Sequence, residues 1–266
     1  MRAEIGVIGG SGFYRWLDDA TEVTVDTPYG APSSPLALGE IAGRSVAFLA
    51  RHGIGHTLPP HRVNYRANLW ALREVGCSRV IGPCAVGSLS ADLAPGDLVV
   101  CDQLVDRTCG RADTYLDGPV VGHVGFADPY CPELGAALAN AAEDLGITVH
   151  RGGTVVVIQG PRFSTRAESS WFRSAGWDLV GMTQYPEAVL ARELGICYAG
   201  LALVTDYDTG LEAGGEAGPG ATVSMEAVME VLAANIDRAQ RVLGTAIGTL
   251  PAQRSCPCPG PLGEAR

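Results

Sequence analysis

Apolar residues in this chain fall into short runs closed by Gly, Asp or Arg. They are EIGVIGG from residue 4, SVAFLAR from 45, RVIGPCAVG from 79, DLVVCDQLVD from 97, GGTVVVIQG from 152, DLVGM from 178 and ICYAGLALVTDYD from 196. Each has the length of a strand, and most are apolar at consecutive positions, the pattern of strands covered on both faces. Stretches with a helical period lie between several of them. NYRANLWALREVG sets Leu69, Leu72 and Val75 on one stripe, with Gly76 as a stop. CPELGAALANAAEDLG repeats Leu134, Leu138 and Leu145 and also ends in Gly. YPEAVLARELG opens on a Pro suited to a first turn and carries Val189, Leu190 and Leu194, and SMEAVMEVLAANIDRAQRVLGTAI starts at Ser224, a candidate N-cap. Strand then helix, repeated, predicts an α/β fold of one domain over residues 1–250. From 251 on, PAQRSCPCPGPLGEAR has little to bury and is expected to be a loose, Pro-rich tail.

Composition narrows the partners. With 47% hydrophobic and 18% charged residues in 266, the chain can bury one large core. A formal charge of −10 without a basic stripe disfavours nucleic acid and anionic membrane surfaces, though not a small anion held by a local Arg. No apolar run is long enough to span a membrane, and the residues before the first glycines are too few for a signal peptide, so a cytoplasmic protein is expected. Of eight cysteines, the six before the tail show no repeated spacing and are read as buried thiols rather than a metal or disulfide framework, with Cys256 and Cys258 in the tail. No metal and no cofactor are expected.

The candidate chemistry sits where apolar runs end. LVTDYDTG closes one with Asp206 and Asp208, whose side chains share a face if the strand persists, so they meet either water or a ligand rich in donors. The Gly-rich stretch 209–223 after them is placed to act as a mobile lid. GVIGGSGF lacks the dinucleotide-binding spacing; its backbone N–H groups and Ser11 suit a small anion, or simply a tight turn. Arg51 closes SVAFLAR next to His52, a pair suited to an oxyanion. His52 and His56 also invite a zinc reading, but no neighbouring Cys or acid completes a set. Cys84 in GPCAVGSL carries no nucleophile motif and reads as a packed thiol beside Ser88. Phe163, between Arg162 and Arg166, fits a stacked ring, or else a core Phe in a salt-bridged loop; Met182 and Thr183 add an adaptable apolar wall and a hydroxyl. An anion pocket, an apolar aromatic surface and paired carboxylates would together suit a purine nucleoside plus phosphate.

From about residue 4 to 245 the sequence resembles the methylthioadenosine phosphorylase branch of the trimeric purine nucleoside phosphorylase family. The resemblance is carried by GVIGGSG, DTPYGAPS, ARHGIGHTLPPHRVNYRANLWAL, VGSLSADLAPGDLVVCDQLVDRT, GPRFSTRAES and TDYD. It implies a twisted mixed β-sheet flanked by helices, a homotrimer, and reversible phosphorolysis with inorganic phosphate as co-substrate. Ser11, Arg51, His52, Ala85 and Thr183 resemble the phosphate-binding positions, with Cys84 where the family often has Thr. Phe163 resembles the residue beside the base, Met182 the one under the ribose, and His123 the one lent by a neighbouring subunit. Val223, Met225, Val228 and Met229 match the apolar 5′ pocket. Asp206 resembles the catalytic group at N7 and Asp208 the acceptor for a 6-amino group. The alternatives are a phosphorylase for methylthioinosine or another 6-oxopurine nucleoside, and, from a different class, a non-catalytic purine-binding protein.

Overall fold

The computed structural model describes residues 2–10, 13, 16–17, 19–119, 121–209 and 225–258, with backbone alone at 225–227. Strand β5 (Arg79–Ser88), apolar on both faces, is long enough to serve two parts of a sheet. Its first residues pair in parallel with β1 (Ile5–Gly9), which pairs with β4 (Arg44–Ala50). Its last two, Gly87 and Ser88, pair antiparallel with β10 (Leu179–Gly181), and the sheet continues through β9 (Thr154–Ile158) to β7 (Gln103–Arg107). The other edge of β5 is covered throughout by β11 (Cys197–Tyr207), which carries β6 (Leu98–Val100) and, beyond it, β8 (Val149–Arg151). A hairpin edge of β2 (Thr21–Val23) and β3 (Leu36–Ile41) joins β4. The described residues thus hold one mixed sheet of eleven strands, as the α/β reading expected.

The central strands β1, β5 and β11 are buried on both faces because helices cover them. Helices α1 (Tyr65–Glu74) and α4 (Gln184–Glu193) put Leu69, Leu72 and Leu190 against Ile8, Val80 and Val204. Helices α2 (Pro132–Asp144) and α5 (Met225–Thr249) put Leu134, Leu138, Val242 and Leu243 against Ile5, Ile81 and Leu201. The predicted stops at Gly76 and Gly146 hold, and Gly195 ends α4 in the same way: all three sit at positive φ just past their helices, where a Cβ would be strained. Ser224, the expected N-cap of α5, lies outside the described residues. Among the described residues, no helix is long and apolar enough to cross a membrane.

Several elements differ from expectation. The run DLVVCDQLVD is two strands: β6 runs with β11, and after Cys101 and Asp102 the chain turns so that β7 runs with β9. Helix α3 (Arg166–Ser174) was not anticipated, although Thr165 and Glu168 form a full capping box. Cys109 is exposed, not buried. Residues 251–258 are not loose. Arg79, 1% exposed, donates to the Pro251 carbonyl (2.8 Å), Arg254 to the Gly195 carbonyl (2.8 Å), and Ser255 to Glu133 Oε2 through both N–H (2.9 Å) and Oγ (2.6 Å). Composition hid this because polar contacts, not apolar area, hold the segment.

Candidate active site

The carboxyl ends of β1, β4, β5 and β11 converge on one cleft, joined by the segments after β9 and β10, where open α/β sheets present ligand groups. One end is built for an anion. Arg51 directly follows β4, its N–H bonded to the Gly9 carbonyl (2.9 Å), and its side chain is 1% exposed. Nε and Nη2 grip both oxygens of Glu187 on α4 (2.5 and 3.0 Å), and Nη1 donates to the Pro83 carbonyl (3.0 Å). A guanidinium has five N–H donors, so these contacts leave donors for a ligand. Burial opposes its charge, but the Glu187 carboxylate outweighs burial and raises its pKa. Tyr198 donates to the same carboxylate (2.8 Å), fixing the pair. Gly10 brings backbone close: a Cβ there would lie 3.0 Å from Arg51 Nη1.

Beside Arg51, burial first and then the guanidinium's charge push the His52 pKa down to about 4. The ring is therefore neutral near pH 7; its Nδ1–H donates to the Leu58 carbonyl (2.8 Å), leaving Nε2 as an acceptor. The His56 ring stacks on it with centroids 4.5 Å apart. Ala85 and Thr183 line the same cleft, and the Thr183 hydroxyl makes no cap bond to α4 although it sits at the N-cap position. Cys84 also lines the cleft, but burial pushes its thiol up to about 11 and Gln184 donates to it (3.1 Å), as expected for a packed thiol.

The other end holds the carboxylates. The register of β11 against β5 slips between Val204 and Asp206, a β-bulge at Thr205 that re-aims the strand end. Asp206 and Asp208 both line the cleft. Asp208 lies past the last strand residue, its N–H bonded to the Ser88 carbonyl (2.8 Å). Gly87 makes room: a Cβ there would lie 3.1 Å from Asp206 Oδ1. Burial, opposed by the Thr205 hydroxyl (2.7 Å) and reinforced by Asp208, raises Asp206 to about 6. Burial raises Asp208 too, but Ser169 donates to its Oδ2 and Arg173 lies in its field. Asp208 thus has more donors to its ionised form than Asp206, an asymmetry that favours the proton on Asp206.

Phe163, 38% exposed, and Met182 line the cleft with Val228 and Met229, the last 48% exposed. Arg162 is instead paired with Glu168 in the capping box of α3 and does not line it. His123 is exposed and does not line it either. Ser11, Val223 and the side chain of Met225 lie outside the described residues, as does nearly all of the expected lid. Glu187, Thr205 and Ser169 were missed. Ser164 lines the cleft with a buried Oγ, and its hydroxyl, like that of Ser169, opposes the rise of the Asp208 pKa.

Comparison with known proteins agrees with this arrangement. The family described as the phosphorylase superfamily matches residues 4–248. A purine nucleoside phosphorylase of Streptomyces coelicolor is 59% identical over 99% of this chain and 95% of its own. The S-methyl-5′-thioadenosine phosphorylase of Mycobacterium tuberculosis is 54% identical over 95% and 91%. Among solved structures, a methylthioadenosine phosphorylase from an antarctic soil metagenomic library superposes with TM-score 0.89 at 43% identity, covering 97% of this chain and 90% of that one. The Schistosoma mansoni methylthioadenosine phosphorylase in complex with adenine reaches 0.88 at 36% identity, covering 95% and 93%. The chain belongs to the phosphorylase superfamily, on its purine nucleoside and methylthioadenosine phosphorylase branch.

Proposed function

We propose that this protein cleaves S-methyl-5′-thioadenosine with inorganic phosphate, giving adenine and 5-methylthioribose 1-phosphate. The observation that carries the reading is a pair of carboxyls in unlike surroundings, Asp206 raised to about 6 by burial and Asp208 held by the Ser169 hydroxyl, lining one cleft with a buried guanidinium. Phosphate sits on Arg51, Thr183 and the Gly10 backbone, with its own hydroxyl donating to His52 Nε2, and Ser11 completes this set. A phosphate oxygen forms a bond to C1′ as the C1′–N9 bond breaks and its electron pair passes to the purine. Asp206 gives its proton to N7, while the phosphate anion steadies the cationic sugar. Asp208 accepts from the 6-amino group through the oxygen not held by Ser169. Val223, Met225, Val228 and Met229 surround the methylthio group, since a 5′-hydroxyl there would lose its bonds to water. No enzyme nucleophile, metal or organic cofactor takes part.

His123 reaches the 5′ end only from a second subunit, which fits its exposure and the homotrimer of the resemblance. A role in cytoplasmic purine salvage is part of this reading and is supported by the small-molecule substrates it assigns. A second reading, a broader purine nucleoside phosphorylase, is favoured by the name of the Streptomyces coelicolor relative. Initial rates with methylthioadenosine, adenosine and methylthioinosine, with and without phosphate, separate the readings. Methylthioadenosine turnover should be fastest and require phosphate. Equal rates in phosphate-free buffer would refute phosphorolysis, and faster methylthioinosine cleavage would refute the base assignment. In Asp208→Asn the amide can donate to a 6-oxo group, so the amino-to-oxo preference should shift by roughly 10- to 100-fold.

A further inference from the structure

The docked segment 251–258 brings Cys256 and Cys258 against two cysteines far away in sequence. Cys131 is the N-cap residue of α2 and Cys197 opens β11; both are about 1% exposed. The four Sγ atoms all lie within 4.8 Å of one another, with Cys197 and Cys256 at 3.3 Å. We propose that Cys131, Cys197, Cys256 and Cys258 bind one zinc-class divalent ion as a tetrathiolate, fastening the chain's C-terminal segment to the edge of the domain.

Three observations carry this beyond a cluster of thiols. Four sulfurs around one ion at tetrahedral Zn–S distances stand roughly 3.8 Å apart, the spacing scale seen here. Cys131 stands at the N-cap of α2, so its sulfur lies at the positive end of the helix dipole, which favours a negatively charged centre there. Arg254 approaches Cys197 Sγ (3.6 Å) and is itself anchored on the Gly195 carbonyl (2.8 Å), supplying a positive charge beside a centre that carries two net negative charges when four thiolates bind a dication. Binding releases the thiol protons to solvent, without any change of oxidation state. The site uses none of the residues assigned to the cleft, and it revises the expectation that the cysteines form no metal site.

The test is metal analysis of the untagged full chain, purified without chelator under reducing conditions. About one zinc per chain is expected, released on thiol titration, and replaceable by cobalt with the absorption of a tetrahedral thiolate complex. Cys256→Ser/Cys258→Ser, remote from the cleft, should fold, keep its turnover of methylthioadenosine, lose the zinc, and melt about 5–15 °C lower than the zinc-loaded protein. Chelation should lower the wild-type midpoint but not the variant's. Wild-type protein that takes up no zinc after reconstitution would sink the proposal. So would the four cysteines appearing as two disulfides in protein isolated anaerobically, or zinc retained in full by the double variant.

Discussion

Asp206→Ala should lower kcat by about 10²- to 10⁴-fold with every purine nucleoside, the range supplied by a positioned proton donor. Asp206→Asn should lose less, because its amide still donates to N7, though it cannot pass a full proton. The pH profile separates the two roles. With Asp206 at about 6 in the free enzyme, the protonated fraction falls as pH rises, so the wild-type kcat/KM should decline above that pH. The Asn variant should lack that limb. Stability falls over the same pH range. The folded pKa lies above the unfolded value of about 3.9, so the stability Asp206 contributes is full below that value and lost as pH rises through about 6. At pH 8, without ligand, Asp206→Asn should therefore be more stable than wild type by on the order of 2–3 kcal/mol, the gap closing towards pH 4. A catalytic loss with no gain in alkaline stability would mean that burial does not hold the proton on this carboxyl.

The residues that carry this chemistry were partly legible because they end apolar runs. Arg51 at the end of SVAFLAR, and Asp206 and Asp208 after ICYAGLALVT, are charges where a buried strand stops, and the structure gathers all three in one cleft. What the run could not reveal is how the two carboxyls become unlike. That depends on the bulge at Thr205 and on Ser169, which lies 39 residues away on a helix that hydrophobic spacing did not suggest. Helix α3 is short and polar overall, with only Ser169 and Phe172 buried, so its few apolar residues did not read as a run although they gather on one side, and the capping box marks its start. The edge strands β2 and β8 were missed for a related reason: three-residue strands with exposed positions have no buried pattern to read. Residues 251–258 of the tail were misread because their anchors are individual polar and sulfur contacts to residues far away in sequence.

Glu187 is the most instructive omission. In YPEAVLARELG it reads as a solvated helix position, yet it is fully buried and holds Arg51 from 136 residues away. Its removal should have the largest effect on stability of any single change at the site. Glu187→Ala leaves a buried guanidinium without its counter-charge and Tyr198 without its acceptor, a loss of about 3–5 kcal/mol. Glu187→Gln keeps the shape and part of the hydrogen bonding, so it should fold while melting about 5–10 °C lower in phosphate-free buffer. If Arg51 binds phosphate, the anion supplies the charge that Glu187 no longer does. Phosphate should then raise the melting temperature of Glu187→Gln more than that of wild type, because ligand that binds only the folded state stabilises in proportion to its affinity. Turnover would not follow that gain, since a guanidinium freed from its bidentate clamp no longer fixes the nucleophile opposite C1′. Calorimetry of both proteins across a phosphate titration decides the matter: parallel shifts would place the phosphate away from Arg51, and a wild-type midpoint in the phosphate-free variant would mean that the pair does not hold the fold.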